Sequence, residues 1–113
     1  MTKGGTEKDF LGEIDVESSI KGGLLDAVSG IHFGEQRVDC YGFPISQDQA
    51  QNNIFQSVRD LHLALHIAKE HNVSTGPEIE EARNLHDKYI EETKRYFDKS
   101  GQEFGYKLRW LEI

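Results

Sequence analysis

The strongest periodic signal in the chain, and the one that decides the fold, is residues 46–72, SQDQAQNNIFQSVRDLHLALHIAKEHN. Ser46 and, three residues later, Gln49 form the pattern of a capping box at a helix start. Apolar residues then recur every three or four positions, which places them on one helix face at 100° per residue. These residues are Ala50, Ile54, Val58, Leu61, Leu65 and Ala68. The stretch therefore predicts a long helix that ends near Asn72.

A second helix is predicted to start at Pro77, because proline suits the first helical position and Thr75 and Gly76 are cap candidates before it. Gly101 is the natural residue just past its end. Its predicted inner face consists of Ile79, Ala82, His86, Tyr89, Ile90, Thr93 and Phe97. The two helices together predict an antiparallel hairpin.

Apolar and polar residues alternate on both sides of this hairpin, which is typical of strands. One predicted strand lies in residues 10–20 and is broken by Gly22 and Gly23, a second occupies residues 104–110, and a weak β-hairpin lies between Ile31 and Pro44. The predicted fold class is α+β, in which the two-helix hairpin packs on a small β-sheet formed by the N- and C-terminal strands. Residues 1–9 are expected to be a flexible N-terminus, and residues 10–113 a single α+β domain.

The composition restricts the partners of the chain. Its 113 residues are 36% hydrophobic, which gives a lean core, and its net charge is -7. Binding to nucleic acid or to an anionic membrane surface needs clustered Lys and Arg, so neither is an expected partner. A single cysteine, Cys40, and the lack of a signal-like apolar run near Met1 predict a reduced, cytoplasmic protein.

Histidines invite a catalytic or metal interpretation. His62 and His66 lie four residues apart on one helix face, and Glu70 extends that row. However, Arg59 projects close to the same stripe, where it would repel a cation, and no further ligand is spaced to close the shell. We therefore predict no metal site here, and we expect His86 to be a hydrogen-bonded core histidine. No catalytic constellation and no cofactor motif is legible in the sequence.

The first predicted helix carries a second apolar stripe. Leu63 and Ile67 project roughly 180° to 220° away from Ile54, with Phe55 and His66 beside them. A helix that is apolar on two sides is covered on two sides. We therefore expect a homodimer or a protein partner to cover this stripe. The predicted interaction residues are Phe55, His62, Leu63, His66 and Ile67, with the two histidines at the polar edge.

Three short segments resemble the fumarase and aspartase superfamily. Residues 8–16, KDFLGEIDV, resemble its N-terminal signature. Residues 30–32 resemble its Gly-Ile-His, and residues 43–46 resemble the Phe-Pro-Ile-Ser that precedes its first long helix. The resemblance covers roughly residues 7–85. It implies an accessory or truncated subunit of a lyase that eliminates ammonia or water. The family's substrate-binding Thr-Ser segments and its Gly-Ser-Ser catalytic loop have no counterpart here, so no catalytic residue is carried over.

Three functional hypotheses follow from the sequence. The favoured one is a small cytoplasmic, non-catalytic interaction or accessory protein that acts through an apolar helix face. The alternative is the accessory or truncated lyase subunit that the resemblance implies. The third is a small enzyme or metal protein built around His62, His66 and His86.

Overall fold

The chain folds into three α-helices. Helix α1 spans Lys3–Gln36, α2 spans Gln47–Glu70 and α3 spans Pro77–Phe104. The computed structural model describes residues 3–72, 77–107 and 109–113, with side chains from residue 18 onward except that of Glu78. In α2, Ser57 lies beside residue 30 of α1 and Ile54 beside residue 34, so these two helices are antiparallel. Hydrogen bonds from α2 to α3 pair residues 52 with 96 and 62 with 86, so α3 is antiparallel to α2.

Helix α2 confirms the main sequence prediction. The Ser46 hydroxyl caps its first turn by accepting a hydrogen bond from the Gln49 N–H at 3.1 Å. The predicted inner face is buried, with Ile54 partly so. The helix ends at Glu70, two residues before the predicted end, and the His71 N–H bonds to the Ile67 carbonyl.

Helix α3 begins at Pro77 as predicted, and its predicted inner face packs inward, with Tyr89 and Ile90 partly buried. Its predicted end is wrong, because Gly101 lies inside the helix and is buried. The helix continues to Phe104, and Gly105, at φ +77°, ends it by donating its N–H to the Gly101 carbonyl at 2.8 Å. A Cβ at position 101 would overlap the Tyr106 carbonyl oxygen, so glycine there allows the chain to fold back. The cap candidates Thr75 and Gly76 lie outside the described residues.

The predicted α+β class is wrong, since the described residues contain three helices and no sheet. Residues 10–20, predicted to form a strand, belong to α1. The buried residues of α1 have helical spacing, and Gly22 and Gly23 do not interrupt the helix. Among the described side chains, the buried apolar residues of α1 are Ile20, Leu24, Ala27, Val28 and Ile31. Helix α1 begins at Lys3, and the flexibility expected of residues 1–9 stays a prediction.

The C-terminal strand and the weak hairpin are corrected as well. Phe104 belongs to α3, and the described residues after it form no strand. In the predicted hairpin, only one isolated bridge joins Val38 to Pro44. Residues 31–36, predicted to form the first half of this hairpin, belong to α1. The helix ends just before Arg37, which has φ +60° and donates its N–H to the Gly34 carbonyl. In both segments, apolar and polar residues alternate as in a strand, but no neighbouring strand among the described residues pairs with them.

Glycines determine how closely α1 approaches α2. A Cβ at Gly34 would overlap the Ile54 side chain and lie 3.0 Å from the Ala50 carbonyl oxygen. A Cβ at Gly30 would overlap the Ser57 hydroxyl. Helix α1 thus packs its bare backbone against α2, and this close packing offsets the intrinsic cost of glycine in a helix.

Polar side chains join the end of α1 to α3. The Tyr89 hydroxyl donates a hydrogen bond to the Glu35 carboxylate, and the Lys88 ammonium lies 3.3 Å from the same carboxylate. The Tyr89 bond is the main reason why the pKa of Glu35 is lowered. Together with the α1–α2 and α2–α3 packing, this contact completes a three-helix bundle.

Candidate functional site

The five predicted interaction residues do not form one surface. Leu63 and Ile67 are exposed at 49% and 37%. Phe55 and His62 are instead buried toward α3, where the Phe55 ring packs at 4.8 Å from that of Tyr96. His66 is half-buried. The structure therefore distinguishes an exposed apolar surface, carried by Leu63 and Ile67, from a more buried histidine cluster, and Leu63 also lines the cavity beside His62.

Leu63 and Ile67 line an open groove between α1 and α2, which we call the α1–α2 groove. Its volume is about 440 Å³. The wall from α1 consists of Ser19, Ile20, Gly23, Asp26 and Ala27, and the wall from α2 of Ser57, Asp60, Leu63, Ala64 and Ile67. The lining is mainly apolar, and its two charged residues, Asp26 and Asp60, are both acidic. The groove is thus an apolar surface with an anionic border.

The histidine cluster is built around a direct contact between α2 and α3. His62 Nδ1 lies 2.8 Å from His86 Nε2, and the two buried rings stack with their centroids 5.0 Å apart. We call these two residues the histidine pair. His86 Nδ1 also lies 3.2 Å from the carboxylate of Asp87, a side chain that is 80% exposed. The pair therefore reaches from the bundle interior to solvent.

The histidine cluster also binds residues 109–113, which we call the C-terminal segment. His62 Nε2 donates to the Leu111 carbonyl at 2.6 Å, and His66 Nδ1 donates to the Glu112 carbonyl, also at 2.6 Å. The Trp110 ring meets the His62 ring edge-on at 5.3 Å. Its indole Nε1 is buried without a hydrogen-bond partner among the described residues. Two histidine–carbonyl bonds thus hold the segment against the bundle.

Electrostatics at His62 oppose its protonation. Burial is the largest cause that lowers the pKa of His62, and the hydrogen bond to Leu111 partly opposes this effect. Repulsion from His86, Lys94 and His66 lowers the pKa of His62 further. His62 is therefore harder to protonate in the folded chain than in the unfolded one.

His62 and His66 use their ring nitrogens within the protein. Both nitrogens of His62 have protein partners, and His66 Nε2 lies 3.8 Å from Glu70 in addition to the bond of its Nδ1. No group of three or more His, Cys, Asp or Glu side chains in the described part of the chain is placed to hold a metal ion. The histidines of this cluster are thus held by hydrogen bonds to other groups of the protein.

Sequence reasoning missed the role of Trp110, which it placed in a strand, and the contact between His62 and His86. The sequence places His86 on the predicted inner face of α3, and this was the available signal; His62, predicted at the polar edge of the second stripe, is buried as well. The return of the C-terminal segment to α2 has no comparable signal, apart from the glycine at position 101 that allows it.

Comparison with protein-family models, with curated proteins and with solved structures finds no match. The resemblance of the N-terminal part to the fumarase and aspartase superfamily therefore stays a prediction. Among the helices of the described ranges, none is long and apolar enough to span a bilayer.

Proposed function

We propose that this chain is a small, non-catalytic interaction protein whose α1–α2 groove binds an apolar helix of a protein partner. The observation that carries the proposal is the exposure of Leu63 and Ile67 in the wall of this groove. Large aliphatic side chains that share an exposed concave surface are typical of interaction sites.

The position of the groove favours a helix as the occupant. At 100° per residue, Ile67 lies about 140° around α2 from His62, the residue that contacts α3. The groove thus opens on a side of the α1–α2 pair that α3 does not cover. A helix placed there would lie against α1 and α2 and complete a four-helix bundle.

Charge favours a partner with basic residues over a second copy of the chain. Asp26 and Asp60 border the groove, and the whole chain has a net charge of -7. In a self-paired groove, these carboxylates would approach those of the other copy, and like charges destabilise such a contact. Lys or Arg residues beside the apolar face of a partner helix would instead be attracted to them.

The test is fluorescence anisotropy with two labelled amphipathic helical peptides that share one leucine face. One peptide has lysines beside that face and the other has glutamates. We expect the lysine peptide to bind at least tenfold more tightly. Leu63→Asn should weaken its binding roughly tenfold or more, because one buried leucine contributes about 1.5–3 kcal/mol.

The matched control is Leu25→Asn. Leu25 is also 49% exposed, but it lies outside the groove lining. Its replacement should leave binding unchanged. Equal losses in the two variants, or equal affinity for the two peptides, would contradict the proposal. Self-association in sedimentation that Leu63→Asn abolishes would identify a second copy as the occupant instead.

A further inference from the structure

The hydrogen bonds of the histidine pair limit how many protons it can carry. His62 Nε2 must carry a proton because its partner is the Leu111 carbonyl, and carbonyl oxygens only accept. His86 Nδ1 carries one when it donates to the Asp87 carboxylate. The facing His62 Nδ1 and His86 Nε2, 2.8 Å apart, have room for one proton between them. The contacts of the pair are thus compatible with at most three protons on its four nitrogens.

A fourth proton is incompatible with this geometry. Two N–H groups would then point at each other across 2.8 Å, and each would carry the charge of an imidazolium. The repulsion is relieved when the His62 ring turns away from His86. Because its opposite nitrogen holds Leu111, the same rotation breaks the bond to the C-terminal segment. The contact between the helices and the docking of the segment are therefore coupled through one ring.

From this coupling we propose that the histidine pair is a proton-sensitive switch, which holds the C-terminal segment on the bundle and releases it when both rings are protonated. The inference does not depend on what occupies the α1–α2 groove. It assigns a regulatory role to the two buried histidines, which the proposed interaction function does not use.

The charged groups around the pair resist the fourth proton. They come from α2, α3 and the segment itself, because side chains of all three line the two cavities beside the histidines. The cationic groups are Arg59, Arg83, Lys94 and Arg109, the carboxylates are Asp60 and Asp87, and His66 is a further titratable neighbour. Repulsion from Lys94 and His66 lowers the pKa of His62. Burial lowers the pKa of His62 in the same direction.

Favourable and unfavourable contacts oppose each other in the docked segment. The buried Trp110 Nε1 makes no hydrogen bond among the described residues, and a buried donor without an acceptor opposes docking. When the segment leaves, this N–H gains water as a partner. The apolar contact of the indole with Phe97 and the two carbonyl bonds favour the docked state. Loss of one of the two carbonyl bonds therefore shifts the equilibrium from the docked segment toward the released one.

Trp110, the only tryptophan, reports the switch directly. Its emission maximum is followed from pH 8 to pH 4.5 together with far-UV circular dichroism. We expect a red shift with a midpoint below 6.5, the usual histidine value, while the helical signal stays constant. No shift over this range, or a loss of helix at the same midpoint, would overturn the proposal.

Two variants identify the responsible group. In His86→Gln, the amide can donate to or accept from His62 Nδ1 and gains no proton, so the emission should stay at its docked value down to pH 4.5. His71→Gln removes an exposed histidine at the end of α2 and should leave the red shift intact. An unchanged red shift in His86→Gln would refute the assignment.

If His86→Gln is unfolded at pH 8, the amide signals of Leu111 and Glu112 in wild-type NMR spectra decide instead. The chemical shifts of these two amides must change at the pH at which the second ring of the histidine pair becomes protonated. A change at any other pH refutes the switch.

Discussion

The α1–α2 and α2–α3 interfaces of this bundle are specified in opposite ways. Where α1 meets α2, glycines leave room for the neighbouring helix, and Gly34 accepts the Ile54 side chain against its bare backbone. Where α2 meets α3, polar and aromatic side chains pair across the interface, as His62 does with His86. An interface made by missing side chains is sensitive to added atoms. An interface made by paired groups is sensitive to lost partners and to pH.

The largest expected loss of stability comes from a substitution on the face of α3 that packs against the core. Ala82 is fully buried among apolar residues of α1 and α2, so Ala82→Asp places an unpaired carboxylate there. We expect a loss of about 3–5 kcal/mol in the free energy of unfolding, comparable to the whole stability of a small domain. Urea unfolding followed by circular dichroism measures it. Asn84→Asp, on the exposed side of α3, is the control, and equal stability of the two variants would show that the phase of α3 is wrong.

The next effect tests the α1–α2 interface with a pair of identical changes. Gly34→Ala adds a methyl group that meets Ile54 and the Ala50 carbonyl, and it should cost about 1–3 kcal/mol of stability. Gly22→Ala adds the same methyl group where no atom of the described residues lies within 4 Å. That variant should gain about 0.5–1 kcal/mol, because alanine favours a helix over glycine. Thermal unfolding of both should show shifts of opposite sign, and shifts of equal sign would mean that α1 does not pack closely at Gly34.

The smallest effect concerns the polar contact between α1 and α3. Tyr89→Phe removes the hydroxyl that binds the Glu35 carboxylate, and it should cost about 1 kcal/mol at pH 7. Because the pKa of Glu35 is lowered in the folded chain, its contribution is present above its usual value of 4.5 and is lost as the pH falls through the lowered value. The difference from wild type should therefore shrink below pH 4.5 in urea titrations. Tyr41→Phe changes an exposed tyrosine in the α1–α2 loop and should show neither effect.

The sequence predicted α2 and most of α3 because their apolar spacing persists over many turns. Periodicity of this length distinguishes a helix from a strand, and the Ser46 cap identifies where α2 begins. The alternation in residues 10–20 is too short to make this distinction. Gly22 and Gly23, which seemed to interrupt a strand, are accommodated within α1. Further along the same helix, Gly30 and Gly34 allow close packing against α2. Such a reason is tertiary and cannot be recognised without the position of the neighbouring helix.

Helical spacing also accounts for part of the placement of the predicted interaction residues. Helical geometry alone places Leu63 and Ile67 away from the inner face of α2, and both are exposed. It cannot show that α3 covers Phe55 and His62, since this depends on where the second helix crosses the first. The docking of Trp110 depends further on the reversal of the chain after Phe104.

The bond between His62 and Leu111 also has a consequence for the order of assembly. These residues are 49 positions apart, whereas Gly34 and Ala50, which meet across the α1–α2 interface, are 16 positions apart. The entropy of closing a chain loop grows with the logarithm of its length, so the longer closure costs about 1 kcal/mol more. The glycine-lined hairpin of α1 and α2 is therefore a cheaper contact for an unfolded chain to make than the bond that ties Leu111 to α2.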